Sequence, residues 1–145
     1  MLGWAAIHYC VTAPQPNRKI LDTLYLAGAD IRLYTSDNRG SPLHCLARAA
    51  IHEHATSFQL YSFVVHLVKD LGAPLDACDL EGNTCIHTAA EHGCNINVLM
   101  AFLDCDTSGS VRKMRNDLGS VIVSPPLPSI ISLCITAELD TNFIF

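Results

Sequence analysis

Three stretches of this chain put a histidine in the same company. They are Asn83-Thr84-Cys85-Ile86-His87-Thr88-Ala89, Ser41-Pro42-Leu43-His44-Cys45-Leu46-Ala47 and Gly3-Trp4-Ala5-Ala6-Ile7-His8-Tyr9-Cys10. Leading into the stretch around His87 is Glu81-Gly82-Asn83, a run of turn formers in which Gly82 can take positive φ without steric penalty. Thr84 then precedes Ile86, Ala89 and Ala90 at helical spacing, so its hydroxyl can satisfy an amide of the first turn. In the second stretch Ser41 is followed by Pro42 at the first helical position, where a missing N–H costs nothing. A single short motif matches by chance, and a recurring one does not. Recurrence also carries a physical demand, because a turn plus a short helix buries too little by itself and must lean on its copies.

The three stretches resemble the ankyrin signature, a glycine followed by Thr-Pro-Leu-His-x-Ala. Cys85 stands where that signature has proline, and Ala5 and Ala6 replace its threonine and proline in the first copy. The histidines fall at 8, 44 and 87, spacings of 36 and 43, against a family period of about 33. Both intervals therefore hold insertions. Ankyrin repeats also close their second helix with Gly-Ala-Asp, matched by Gly28-Ala29-Asp30 and Gly72-Ala73-Pro74. These markers place one insertion, Ile51 to Ser57, between the helices of the second unit. The third unit has Cys105 where the glycine belongs, so it ends atypically. The resemblance implies an all-α dominated solenoid of helix-turn-helix units with β-hairpin fingers, covering residues 1–119 in repeats of about 3–35, 36–78 and 79–116. Residues 120–145 form a non-repeat apolar tail containing prolines.

In chain order, the first inner helix spans residues 2 to 13. Asn17 caps a helix from Arg18 to Ala27 whose Ile20, Leu21, Leu24 and Tyr25 form the buried stripe. Ala29 to Arg39 make the first finger, anchored by Ile31 and Leu33. Pro42 to Ala50 form the second inner helix. Thr56 or Ser57 starts a long helix to Asp70, with Leu60, Phe63, Val64, Leu67 and Val68 on its apolar face. A finger from Pro74 to Asn83 follows, then the helix after Thr84, ended by Gly93. The last outer helix begins near Asn95 with Val98, Leu99, Phe102 and Leu103 inward. Arg115-Asn116-Asp117-Leu118-Gly119 opens like a fourth unit, yet three prolines after it forbid a continuous helix. So abrupt a change suggests a truncated or mis-spliced reading frame. The uncharged run Ile130 to Thr136 is an aggregation hazard unless it packs over the end of the stack.

Composition narrows the function. The net charge of −5 comes from 14 acidic against 9 basic residues, and no concentrated basic face exists to release counterions from nucleic acid. Seven cysteines, most at positions suited to a small apolar side chain, read as reduced thiols in the cytoplasm or nucleus. No stretch has the 18 or more apolar residues of a membrane span. The apolar start lacks a basic n-region and is broken by His8, so a secretory signal is not expected there.

Nothing in the chain demands an enzyme. There is no Gly-x-Ser-x-Gly turn, no phosphate-cradling loop and no His-Glu-x-x-His, and His44 and Cys45 are helical neighbours that cannot face each other. His8, His44 and His87 occur once per unit and lack paired zinc spacing. With Ser41, Gly82 and Thr84 they are expected to be structural, and neither a metal nor another cofactor is expected. By resemblance, the chain is a protein-protein interaction module or scaffold fragment that binds another protein on its concave face. Nucleic acid, membrane and small-molecule substrates are not expected partners. Carried over by position, the exposed fingertip candidates are Arg32, Tyr34, Arg39, Leu80, Glu81 and Asn83. The inner-helix candidates are Tyr9, Arg48, Thr88, Glu91 and His92, with Tyr9, Tyr34 and Arg48 favoured as anchors because tyrosine and arginine dominate interface energetics. The competing reading is a metal- or redox-responsive protein that uses the cysteines and His52-x-His54.

Overall fold

The computed structural model describes residues 3–37, 40–49, 57–92 and 95–119, together with the backbone of Val121–Ile122 and Cys134–Ile135. Among the described residues six α-helices carry the fold: α1 (Ala6–Val11), α2 (Arg18–Leu26), α3 (Pro42–Arg48), α4 (Ser57–Val65), α5 (Cys85–His92) and α6 (Ile96–Cys105). A π-helical turn, His66–Asp70, prolongs α4, and a 3-10 turn, Val111–Lys113, follows α6. The fold is helix-rich. The segments expected as β-hairpin fingers are tight reversals, with no strand among their described residues. The short ladder β1 (Val121–Ile122) with β2 (Cys134–Ile135) is antiparallel and lies beside α5.

The helices pack in two rows. In one, α1 meets α3 and α3 meets α5; in the other, α4 meets α6, while α1 is paired with α2 and α5 with α6. Short residues let the first row approach closely: Cys45, Ala47, Cys85 and Ala89 are all buried in it. Leu43, Leu46, Leu60, Leu67, Ile86 and Phe102 fill the space between the rows at 1% exposure or less. That burial is what holds helices this short, since isolated helices under about 12–15 residues are marginal in water.

The helix starts follow local chemistry. Asn17 caps α2 by accepting from the Ile20 amide at 3.2 Å. Asn95 caps α6 by accepting from Asn97 at 2.9 Å. Pro42 is the first residue of α3. Observed α1 is shorter than the expected 2 to 13, because Pro14 and Pro16 follow and the Thr12 hydroxyl turns back to the His8 carbonyl at 2.9 Å. The expected stripe of α2 is also narrower: Leu21 is buried, whereas Ile20 is 52% and Tyr25 40% exposed. Leu33 is another correction. Ile31 anchors the first reversal, but Leu33 is 41% exposed and offers its carbonyl, not its side chain, to the core.

Two features were not visible in the sequence. At the end of α6 the carboxylate of Asp106, buried, accepts from the amides of Val111 and Arg112 at 3.2 and 3.0 Å and from Arg112 Nε at 3.1 Å. Arg112 Nη2 also donates to the Leu103 carbonyl at 2.6 Å. This pair closes the end of α6, whereas Gly28 after α2 and Gly72 after the π-helical turn stand at positive φ. In the π-helical turn, His66 sits between two carboxylates, with Nε2 on Asp22 of α2 and Nδ1 on Asp70. A π turn is rare and rotates the side chains after it, and here it aims a buried histidine at the neighbouring helix.

Candidate protein-interaction face

The three motif histidines have the same task on one side of the ring. His8 Nδ1 accepts from the Ala5 amide at 2.9 Å, His44 Nδ1 from the Ser41 amide at 3.1 Å, and His87 Nδ1 from the Thr84 amide at 3.2 Å. The imidazole thus does what a glutamate does in a capping box, reaching back to the amide that opens its own helix. Ser41 Oγ and Thr84 Oγ1 lie 2.8 and 2.9 Å from the same nitrogens.

With Nδ1 accepting, Nε2 must carry the hydrogen, and it donates outward to a carbonyl. His44 reaches Asn83, just ahead of the Thr84–His87 motif, at 2.7 Å. His8 reaches Leu33 at 2.8 Å, seven residues short of the position equivalent to Asn83. The first reversal follows a different path, closed by Thr35 N to the Gly40 carbonyl at 2.9 Å and Gly40 N to Thr35 Oγ1 at 3.2 Å. Burial holds the His44 imidazole below the ordinary histidine range, with Arg48 and His87 adding repulsion and the Asn83 carbonyl and Asp79 opposing.

The reversals themselves stack. Asp79 Oδ1 accepts from the amides of Glu81 and Asn83 at 2.9 and 3.0 Å, an Asx-type turn, while its Oδ2 accepts from Arg48 Nη2 at 2.9 Å. Asn116 repeats the device by accepting from the Leu118 amide at 3.1 Å. The second turn docks on the first through Asp117 N to the Glu81 carbonyl at 2.9 Å and Asn116 Nδ2 to Asn83 Oδ1 at 2.7 Å. Gly82, at φ 75°, has no room for a side chain: a Cβ there would meet Asp117 Oδ1 at 2.7 Å. Gly3 stands five residues before His8 just as Gly82 stands five before His87, and Ser36 Oγ lies 1.7 Å from where its Cβ would be.

On this frame the site candidates separate. Tyr9 (57%), Tyr34 (42%) and Leu80 (55%) are exposed large side chains. Arg32, Glu81, Glu91 and His92 are exposed as well. Tyr9 stands 5.4 Å from the Trp4 ring, and Trp4 Nε1 donates to Asp37 at 3.2 Å, which links α1 to the first reversal. Tyr34 stands near Asp76 and Cys78 of the next reversal. Three candidates are corrected. Asn83 is 4% exposed and ties two turns together, and Thr88 is 1% exposed with its hydroxyl donating to the Thr84 carbonyl. Arg48 is a brace, because its guanidinium is engaged by Asp79, whose side chain is 3% exposed. Arg39 lies outside the described residues, as do His52 and His54.

No family model matches the chain, and no curated protein matches it.

The metal- or redox-responsive reading gains nothing from the described residues. No group of three or more potential ligands is gathered among them. Burial pushes the Cys45 thiol up to about 11 and raises Cys10, Cys78 and Cys105 as well, which disfavours the reactive thiolate. Among the described residues no helix is long and apolar enough to cross a membrane. No local pattern marks Arg48 as a brace, because its partner Asp79 lies 31 residues away. The signal for Asp79 was present in Asp79-x-x-Gly82, since aspartate before such a turn bonds its own backbone.

Proposed function

We propose that this chain is a protein-protein interaction module of the ankyrin-repeat kind, with repeats of about 3–35, 36–78 and 79–116, and that it binds a partner protein without catalysing a reaction. The observation that carries the reading is the division of labour at the reversals. Buried histidines, Asp79 and Asn83 make a rigid base, and Tyr9, Tyr34 and Leu80 stand exposed on it. Large apolar side chains held outward by a hydrogen-bonded frame bind with little loss of conformational freedom. The cytoplasm or nucleus suits such a chain, since its described cysteines are free thiols.

The test is binding by the intact chain and by Tyr34→Ala and Leu80→Ala, against whichever proteins the intact chain retains at defined concentration. Each substitution is expected to weaken retention at least fivefold and to leave the urea midpoint unchanged, because neither side chain is in the core. Retention that survives both substitutions undiminished overturns the assignment of this face.

A further inference from the structure

The exposed apolar residues at the reversals do not stand alone; they run beside carboxylates. Tyr34 lies close enough to Asp76 and Cys78 for both to raise its phenol, after burial. The Cys78 thiol is raised by burial first and then by Asp79, Asp76 and Asp117. Leu80 and Glu81 share the next turn, and the Asp117 amide bonds the Glu81 carbonyl, which sets Leu118, 81% exposed, alongside. The two hydrogen-bonded turns thus carry a ridge with Leu80 and Leu118 exposed beside Glu81 and Asp117, and Tyr34 and Asp76 stand exposed on the reversals before it. Among the described residues Arg48 is paired with Asp79, while Arg115, which donates to the Gly119 carbonyl at 3.1 Å, and Arg32 at the Tyr34 end keep their charge, so the exposed carboxylates Asp76, Glu81 and Asp117 outnumber the exposed guanidiniums.

Resting on the interaction reading above, we infer that the occupant of this ridge is a cationic amphipathic segment of another protein, one that alternates Lys or Arg with large apolar residues. Apolar side chains at the ridge supply affinity, and like-charge repulsion along the carboxylates excludes acidic segments. Nucleic acid is repelled by the same charges.

The experiment uses the full chain and three fluorescent synthetic peptides of equal length, alternating Leu with Arg, Leu with Glu, and Ser with Arg, read by anisotropy at two salt concentrations. The Leu/Arg peptide is expected to bind at least tenfold more tightly than either other, to weaken with salt, and to lose about tenfold on Glu81→Lys with Asp117→Lys. Asp104→Lys on α6, equal in charge change to either of those substitutions made alone, is expected to leave it within twofold while each single ridge substitution weakens it, which separates a local site from attraction to a chain of net charge −5. Equal loss with Asp104→Lys overturns the inference. Preference for the Leu/Glu peptide, weakened by Leu80→Ala, overturns the charge assignment while the interaction face stands. Leu/Arg binding indifferent to Leu80→Ala and to both lysine substitutions at the turn overturns the inference and the face together.

Discussion

At the scale of single residues, a histidine and a glycine carry the most weight. His44 is neutral in the fold, its Nδ1 occupied by an amide hydrogen and its ring buried. Its folded value lies below the unfolded one of about 6.5, so the unfolded chain takes up the proton first as pH falls. Stability from this residue is therefore whole above about pH 6.5 and drains away below it, down to the pH at which folded His44 itself titrates. Urea unfolding at pH 7.5 and 5.5 checks this: the midpoint drops on acidification, and the drop is smaller in His44→Gln. Gly82→Ala combines positive φ with the contact against Asp117 and is expected to cost about 1–3 kcal/mol by urea denaturation. Residue-level legibility was uneven for a physical reason. Tyr9, Cys45 and Thr88 hold the same place after the histidine, yet Tyr9 is 57% exposed and the other two 3% and 1%. The motif reports the place in a helix; only the neighbouring helix decides whether that place sees water.

Elements were legible where capping chemistry is local and obscure where a distant partner supplies it. Asn17, Pro42 and Asn95 mark helix starts by themselves, and the structure has helices beginning just there. The end of α6 carries no such mark, because Asp106 and Arg112 meet across a loop. Asp106→Ala removes the acceptor for two amides and a guanidinium, and it is expected to destabilise by about 3 kcal/mol, since it leaves Arg112 without its charge partner. Faster hydrogen exchange over the last turn of α6 than over α3 would locate the damage; uniform loss would place the effect elsewhere. The stripe expected on α2 was too wide for a similar reason. Helical periodicity gives a face, and the extent of burial depends on what packs there: the described contact of α2 is chiefly with α1, plus the link from Asp22 to His66.

At the scale of the whole molecule, the helix-rich class, the order of the described helices and the recurrence of a histidine tie could be read from the chain, while the route of the first reversal could not. Helices this short are held chiefly by the neighbours they pack against. Leu43, at 0% exposure in the middle helix of the first row, is accordingly the place where truncation should be felt on both sides. Leu43→Ala is expected to lower stability by about 2–5 kcal/mol, with exchange protection falling in α1 and α5 alike; loss confined to α3 would speak against packing shared along the row. The contacts over Gly3 and Gly82 carry a practical consequence for anyone recombining such units. Ser36 and Asp117 each occupy the volume an ordinary side chain would need on the preceding turn, so a grafted loop must travel with the bare backbone beneath it, and a library that varies one partner while holding the other constant will mostly sample clashes.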